Sequence, residues 1–483
     1  MNGLIMLILR CNKTNSMKKN PILLSAIAMS VTLNTFGQNK KVSQDMAEQG
    51  FVHDMSDSYT TPDDSAVIAK LEDWQDRKFG IFFHWGVYSI PGISESWPLC
   101  SEDKFMARRR KIQPDMNYDE FKKWYWDLSK QFNPSEFNAT DWAALMKSAG
   151  MKYMVFTTKH HDGFCMYDSK LTDYTITNQT GIDPLKNLID EFRNHGFMIG
   201  IYFSKADWHS PWYWNPDKAT PARGVNYDIK KHPDWWKNFC EYTNGQVDEL
   251  MTNYGPIDIL WLDGGWVKAP AEDLGIDTII DNARAKQPGL IAVDRTVKGR
   301  NENYLTPEMR IPKEQLPYPW ETNTTLTNRW GWTPNPKYKS AFDVINMLAE
   351  ITAKGGNFLL DVGPDGKGRI EQAAIDRLNY IGNWLDKNGE AIYATRATKI
   401  YNDGPIWFNA SKDGKTIYGI FTLNDGEKLP QTIEWTGNVP TGKMTLLANG
   451  KKLKYTTKEG KTTVVLPSVM NDEPFAFKFS IKK

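Results

Sequence analysis

The chain has 483 residues, room for one large domain and a smaller one, and its 40% hydrophobic and 24% charged residues are ordinary for globular proteins. Lys and Arg total 59 against 58 Asp and Glu, a formal charge of +1 that argues against nucleic acid or an anionic membrane as the main partner. A mean hydropathy of −0.54 excludes a multi-span membrane protein. The 19 Trp and 20 Tyr offer flat apolar faces with a polar edge, which suit a large core as well as sugar rings, so carbohydrate is the first substrate class to consider.

Residues 17–38 resemble a secretory signal, with a basic start at Met17, an apolar run over 21–31 and small residues near Gly37. The apolar run is too short to span a bilayer. We therefore predict a signal region over 1–38 with its start at Met17, a lead-in segment over 39–74, and an exported bacterial protein, periplasmic or extracellular. Cys100, Cys165 and Cys240 then remain, an odd and widely spaced set that indicates neither a disulfide framework nor a zinc site.

Strand-like and helix-like segments alternate from about residue 75 to 390. The predicted strands are 78–85, 152–159, 197–204, 256–265, 290–295 and 357–363. The predicted helices are 119–132, 139–150, 184–196, 233–255, 274–289, 340–356 and 372–389. Apolar strands that are each followed by a helix indicate a parallel sheet covered on both faces. We predict a (β/α)8-like TIM barrel over 75–390; an open doubly wound sheet is the competitor, but no GxGxxG turn follows the first strand.

The pattern changes after residue 391, where apolar and polar residues alternate with period two between Asp-Gly, Asn-Gly and Glu-Gly turns. This predicts an antiparallel β-sandwich over 391–483. Trp407 and Trp435 are its only tryptophans. We therefore expect residues 391–483 to support the barrel structurally rather than to bind glycans.

Polar and aromatic residues occur where five successive predicted strands end, and the active site of a TIM barrel lies at that edge. These residues are His84-Trp85, the run 159–162, the run 202–204 with Asp207, the run 261–265, and Asp294-Arg295. Each could be structural alone, as a core histidine, a turn aspartate or an ion pair, but their shared placement favours an active site. Adjacent residues of an extended segment point to opposite faces, so at most one of His160 and His161 is expected to face the barrel interior.

A metal site is one interpretation of this edge, with ligands from His160, His161, Asp162, Asp207 and His209. Adjacent histidines do not easily bind one ion together, and no HExxH spacing occurs. We favour a site without a metal or a cofactor.

Carboxylate chemistry is the other interpretation, because glycoside cleavage needs one ionised and one protonated carboxyl group astride the bond. Asp263 is the natural ionised group, since Gly264 and Gly265 leave room for substrate and Arg295 on the next strand favours the charge. The acid is expected on a later loop. Composition and spacing leave four candidates: Glu302, Glu308, Glu314 and Glu321.

Several long strings resemble glycoside hydrolase family 29, the α-L-fucosidases. They are FGIFFHWGVYSIP (79–91), TTKHHDGFCMYDS (157–169), GIYFSKADW (200–208), ILWLDGGW (259–266), VDR (293–295) and KGGNFLLDVGPDGKGRI (354–370). They run through the predicted barrel in order. The architecture of that family, a (β/α)8-like barrel followed by a β-sandwich, agrees with the fold predicted above.

The resemblance implies a retaining exo-α-L-fucosidase in which Asp263 is the nucleophile that forms a glycosyl-enzyme. It implies that several further residues bind fucose: His84, His160, His161 and Tyr202 at its hydroxyls, Trp261 and Arg295 in the pocket wall, and Trp330 at its methyl face. The Glu-Trp pair of the family is altered to Glu95-Ser96-Trp97, so Glu95 and Trp97 are expected substrate-binding residues.

The acid/base is the least uniform element of the family. The strings TPE (306–308) and PWET (319–322) resemble a branch that acts on α-1,3- and α-1,4-linked fucose, which points to Glu308, with Glu321 as second choice or as a residue that orients the pocket. The expected function is release of terminal L-fucose from glycans or oligosaccharides; a weakly catalytic carbohydrate-binding protein on the same barrel is the alternative. The expected partner is a fucosylated glycan, with no nucleic acid and no membrane insertion.

Overall fold

The computed structural model describes Met55, residues 57–220 and residues 222–481. The predicted signal region, its start at Met17 and residues 39–54 of the lead-in segment lie outside the described residues. Within the described ranges, no helix is both long enough and apolar enough to cross a membrane.

A seven-stranded parallel sheet forms the centre of the larger part of the fold. Its strands are β1 Phe79–Phe83, β2 Tyr153–Lys159, β3 Met198–Ser204, β4 Ile259–Asp263, β5 Ile291–Asp294, β6 Glu321–Thr325 and β7 Asn357–Val362. They are arranged in the order β5-β4-β3-β2-β1-β7-β6. Every residue of these strands is buried, as expected of a parallel sheet whose faces are both covered.

Helices cover this sheet. They are α1 Ser65–Arg77, α2 Asp103–Ile112, α3 Tyr118–Asp127, α4 Ala139–Ser148, α5 Ile176–Thr180, α6 Pro184–Asn194, α7 Pro233–Asn253, α8 Ile276–Lys286, α9 Ala341–Ala353 and α10 Gln372–Asn388. Side-chain caps start several of them; Asn117 and Glu120 form a capping box on α3, and Ser340 and Asp343 form one on α9. The predicted helices match α3, α4, α6, α7, α8, α9 and α10 in place.

The predicted eightfold barrel is replaced by seven strands and an irregular seam, residues 301–309, between β5 and β6. At one edge of the seam the amide of Asp294 donates to Asn301 O over 2.7 Å. At the other edge the amide of Glu321 donates to Leu305 O over 2.8 Å. A regular eighth strand does not form because Pro307 lacks an amide hydrogen and Met309 has φ +56°.

The C-terminal part contains eight antiparallel strands. They are β8 Thr395–Asp403, β9 Ile406–Ser411, β10 Thr416–Phe421, β11 Thr432–Thr436, β12 Pro440–Leu446, β13 Lys452–Lys458, β14 Lys461–Val465 and β15 Phe475–Ile481. Their order is β11-β14-β13-β12-β15-β10-β9-β8, a single sheet where two were predicted.

This sheet curls until its two edge strands meet. The amide of Thr436 in β11 donates to Asp403 Oδ2 in β8 over 2.7 Å, and the Trp435 ring lies 5.8 Å from the Phe408 ring. An irregularity in β12 between Thr441 and Met444 breaks the ladder to β15, and such a bulge bends a sheet. The predicted sandwich is therefore better described as one nearly closed sheet around one apolar core.

Candidate active site

A cavity of about 330 Å³ opens where the parallel strands end. Its lining consists of Phe82, His84, Glu95, Trp97, His160, Tyr202, Trp261, Asp263, Arg295, Glu308, Asn323 and Trp330. The structure thus brings together every predicted site residue except His161 and Glu321. Sequence reasoning missed Phe82 and Asn323. Phe82 stands two residues before His84 in the predicted strand 78–85, so strand alternation points to it, whereas Asn323 lies in a segment that was not predicted as a strand and gave no such signal.

Asp263 is the last residue of β4 and keeps 7% of its surface exposed. Parallel register pairs it with Ser204, the end of β3. Tyr202 donates its hydroxyl to Asp263 Oδ2 over 2.8 Å. Gly264 follows with φ +89°, a conformation costly for other residues, so the chain turns away immediately and leaves the carboxylate facing the cavity.

Arg295 joins the two candidate catalytic carboxylates. Its Nη1 lies 3.2 Å from Asp263 Oδ1, and its Nη2 donates to Glu308 Oε2. The guanidinium also lies 5.0 Å from the centre of the Trp261 ring. Burial opposes the charge of Arg295, but Glu308 and Asp263 outweigh this and raise the pKa of the guanidinium. The arrangement is a buried cation shared by two acids.

Two uncharged histidines stand on the opposite wall. Nδ1 of His84 lies 2.7 Å from Asp361 Oδ1, and Nδ1 of His160 hydrogen-bonds with the hydroxyl of Ser96. Burial lowers the pKa of His84 well below its usual value and that of His160 to about 4. Neutral imidazoles with one nitrogen already engaged can exchange hydrogen bonds with neutral hydroxyl groups.

Of His160 and His161, only His160 lines the cavity, in agreement with the prediction that at most one of them faces the interior. β2 ends at Lys159, so the two residues do not alternate as in a strand, and their rings lie 4.3 Å apart. Nε2 of His161 lies 3.6 Å from Asp263 Oδ2, while its Nδ1 is 2.7 Å from Ser204 Oγ. His160 lines the cavity and His161 supports the carboxylate from behind.

The altered segment Glu95-Ser96-Trp97 still delivers both flanking side chains to the cavity. Ser96 between them contacts His160, so the extra residue is used to anchor a wall histidine. Glu95 is 3% exposed, and burial raises its pKa to about 8 although Nη1 of Arg108 lies 3.9 Å away. At neutral pH it is a carboxylic acid that can donate a hydrogen bond.

Of the four candidate acids, only Glu308 lines the cavity. Glu321 is the first residue of β6, at the far end of the strand, where its Oε2 accepts a hydrogen bond from Tyr153 over 2.7 Å. Full burial raises the pKa of Glu321 to about 8. Glu302 accepts the amide of Thr296, and Glu314 is exposed to solvent.

The residues considered as metal ligands have other partners. Asp207 Oδ2 lies 3.2 Å from Lys159 Nζ, and Asp162 Oδ2 accepts the hydroxyl of Tyr125 over 2.7 Å. In the part of the chain that the structure describes, no group of three His, Cys, Asp or Glu residues is placed to hold a metal ion.

Comparison with known proteins gives consistent results. A sequence profile of the family described as Alpha-L-fucosidase matches residues 47–390. The plasma alpha-L-fucosidase of Rattus norvegicus is 29% identical over 434 residues, 84% of this chain and 90% of that protein. The alpha-L-fucosidase of Dictyostelium discoideum is 28% identical over 379 residues, covering 74% of this chain and 79% of that one.

Solved structures share the whole architecture. Alpha-L-fucosidase isoenzyme 1 from Paenibacillus thiaminolyticus superposes with a TM-score of 0.73 at 29% identity, covering 87% of this chain and 100% of that chain. The Thermotoga maritima alpha-fucosidase in complex with fucose gives a TM-score of 0.69 at 25% identity, with 87% and 100% covered. The profile spans every residue of the cavity lining. The chain therefore belongs to the alpha-L-fucosidase family, GH29, and is a glycoside hydrolase.

Proposed function

We propose that the chain is a retaining exo-α-L-fucosidase that releases terminal L-fucose from glycans by double displacement. The observation that carries this proposal is the attachment of Asp263 and Glu308 to neighbouring nitrogens of one guanidinium. A retaining enzyme needs its two carboxyl groups about 5 Å apart, and a shared guanidinium keeps them close. The fucose complex of the Thermotoga maritima relative supports fucose as the sugar.

In the first step Asp263 attacks the anomeric carbon of fucose, and Glu308 gives its proton to the departing glycosidic oxygen. The product is a fucosyl ester on Asp263 and a free leaving group. In the second step Glu308 takes a proton from water, which attacks the same carbon and releases fucose with its original anomeric configuration.

Arg295 couples the two carboxyl groups through the reaction. When Asp263 becomes an ester, it loses its negative charge, and Glu308 becomes the sole anionic partner of the guanidinium. The guanidinium therefore stays paired with a carboxylate in both steps.

The remaining walls suit one deoxy sugar. His84, His160 and Tyr202 present polar atoms to hydroxyl groups, while Trp330, whose ring lies 5.0 Å from that of His84, offers an apolar face to the methyl group.

The linkage is proposed from the strings TPE (306–308) and PWET (319–322), which resemble the branch acting on α-1,3- and α-1,4-linked fucose. The placement of Glu308 on the cavity supports the use of the first string as the acid/base motif.

The deciding experiment follows the hydrolysis of a Lewis-type trisaccharide by NMR. Early appearance of α-fucose supports fucosidase activity, retention and the branched linkage together. Early β-fucose contradicts retention. If an aryl fucoside is cleaved but the trisaccharide is not, the linkage proposal is wrong while the fucosidase activity is supported. Asp263→Ala separates the two candidates: it should abolish turnover if the chain is the enzyme, and it should leave glycan binding unchanged if the chain is a weakly catalytic binding protein.

Two further proposals concern the rest of the chain. We propose that residues 391–483 form a domain that supports the catalytic part over 75–390; Asn409 supports this by donating to Thr352 Oγ1 over 3.1 Å, and Trp384 by donating to Pro474 O over 2.7 Å. We propose that 1–38 directs export, which N-terminal sequencing of secreted protein would test.

A further inference from the structure

A second and larger cleft lies beside the catalytic cavity. It measures about 850 Å³, including the space that is open to solvent. Its walls include three tryptophans and three lysines: Trp126, Trp208, Trp214, Lys122, Lys123 and Lys218. Nothing in the proposed reaction uses these residues.

Two adjacent tryptophan rings lie between the cleft and the cavity. Trp208 lines the cleft, and its ring lies 5.5 Å from that of Trp97, which lines the cavity. Trp208 also neighbours His161, at 5.2 Å between rings, and Nε2 of His161 is 3.6 Å from Asp263. Trp208 also follows the carboxyl end of β3, so both openings lie where the strands end.

Trp208 and Trp214 are almost completely buried and form a rigid base beneath the cleft. Trp208 and Trp214 stack with centroids 5.0 Å apart and planes 9° apart. Their indole N–H groups are tied to Arg223 O over 2.9 Å and to Gly224 O over 3.0 Å. Trp126 is only partly buried, so its ring is available to the apolar face of a sugar.

The charge of the cleft is positive, in contrast to the near-neutral chain. Lys122 is neutralised by Asp119, whose Oδ1 lies 2.9 Å from its ammonium group. Lys123 and Lys218 are exposed, and among the described residues neither forms an ion pair within 4.0 Å, although Asp127 acts on Lys123 at longer range. Burial lowers the pKa of His209, another lining residue. Two ammonium groups without a direct ion pair therefore lie in the same cleft as Trp126.

We propose that this cleft binds an anionic saccharide unit, one bearing a sulfate ester or a carboxylate, of the same glycan whose terminal fucose enters the catalytic cavity. This inference rests on the proposed fucosidase function and names the class of its leaving group. The sugar ring packs on Trp126, while Lys123 and Lys218 bind the anionic substituent. A neutral saccharide would use the Trp126 ring alone.

The test compares kcat/KM on three fucosylated oligosaccharides of equal length, one neutral, one sulfated and one sialylated, together with an aryl fucoside that does not reach the cleft. We expect about tenfold higher kcat/KM on at least one anionic substrate, with the advantage falling as salt increases. Comparison of the sulfated substrate with the sialylated one shows whether the cleft binds a sulfate ester or a carboxylate.

The variant Lys123→Glu/Lys218→Glu should lose the anionic advantage, whereas Lys454→Glu, an exposed lysine on β13, should keep it. Hydrolysis of the aryl fucoside reports the integrity of the catalytic cavity in each variant. Equal rates on neutral and anionic glycans, or an advantage that survives charge reversal, would overturn the inference while the fucosidase function stands. No hydrolysis of the aryl fucoside by the wild-type chain would overturn the function itself.

Discussion

The hydroxyl of Tyr202 donates to Oδ2 of Asp263 over 2.8 Å, on the oxygen that Arg295 leaves free. This bond orients the carboxylate that we propose as nucleophile. Tyr202→Phe keeps the ring and removes the donor. We expect kcat/KM for an aryl fucoside to fall about 10- to 100-fold, because a misoriented nucleophile reacts slowly.

A matched control is Tyr254→Phe. Tyr254 is also buried, and its hydroxyl donates to Asp183 over 2.7 Å, far from the cavity lining. Both variants remove a tyrosine–aspartate hydrogen bond, and Tyr254→Phe also removes the acceptor of the Asp168 amide. Both should therefore lower the melting temperature, but only Tyr202→Phe should lower kcat/KM. Similar kinetics in the two variants would refute the orienting role.

The choice of acid can be tested with two glutamine variants. Glu308→Gln should lower kcat on a glycan substrate by about 10²- to 10⁴-fold, and much less on an aryl fucoside whose leaving group needs little protonation. Glu321→Gln should keep kcat within a few-fold, because this residue does not line the cavity. The reverse pattern would move the acid/base role to Glu321.

Glu321 should instead influence stability in a pH-dependent way. Its pKa is raised from 4.5 to about 8 in the folded chain, so its contribution to stability is present below pH 4.5 and is lost as the pH rises to 8. The unfolding free energy of wild type should therefore decline more steeply between pH 5 and pH 8 than that of Glu321→Gln, by about 1 kcal/mol per pH unit. Glu314→Gln, at an exposed site, should follow wild type.

Loss of the Glu95 proton should lower kcat/KM in alkaline solution. Its pKa of about 8 means that it is protonated at neutral pH and loses its proton in mildly alkaline solution. A negative charge there would repel Asp263 and Glu308 and remove a hydrogen-bond donor. We expect kcat/KM to fall above pH 8 in wild type and to fall less in Glu95→Gln, measured from pH 5 to 9.5. If kcat/KM falls above pH 8 as steeply in Glu95→Gln as in wild type, the loss of activity is caused by another group.

Much of the fold follows from apolar runs in the sequence. The six predicted strands coincide with β1 to β5 and β7, because each is an uninterrupted buried segment. β6 was missed since its residues, ETNTT, are polar yet buried. Thr322 and Thr325 satisfy their hydroxyls on the backbone oxygens of Arg310 and Thr327, which is a property of the folded state that composition does not reveal.

Much of the site follows from position alone. Residues at strand ends gather at one edge of a parallel sheet, so His84, Tyr202, Asp263 and Arg295 could be grouped before their contacts were seen. Spacing could not select Glu308, because the seam that carries it follows no strand or helix period. The expectation that at most one of His160 and His161 faces the interior agrees with the cavity lining, which includes His160 alone of the two.

The two acids thus depend on different kinds of backbone. Asp263 is fixed by the ladder between β3 and β4, so displacing it by one residue would disturb neighbouring strands. Glu308 lies on the seam, which touches the sheet through a few isolated hydrogen bonds. Insertions or deletions there would relocate the proton donor while sparing the nucleophile. The position of Glu308 can therefore change, in evolution or by engineering for a new leaving group, while the strands that hold Asp263 stay the same.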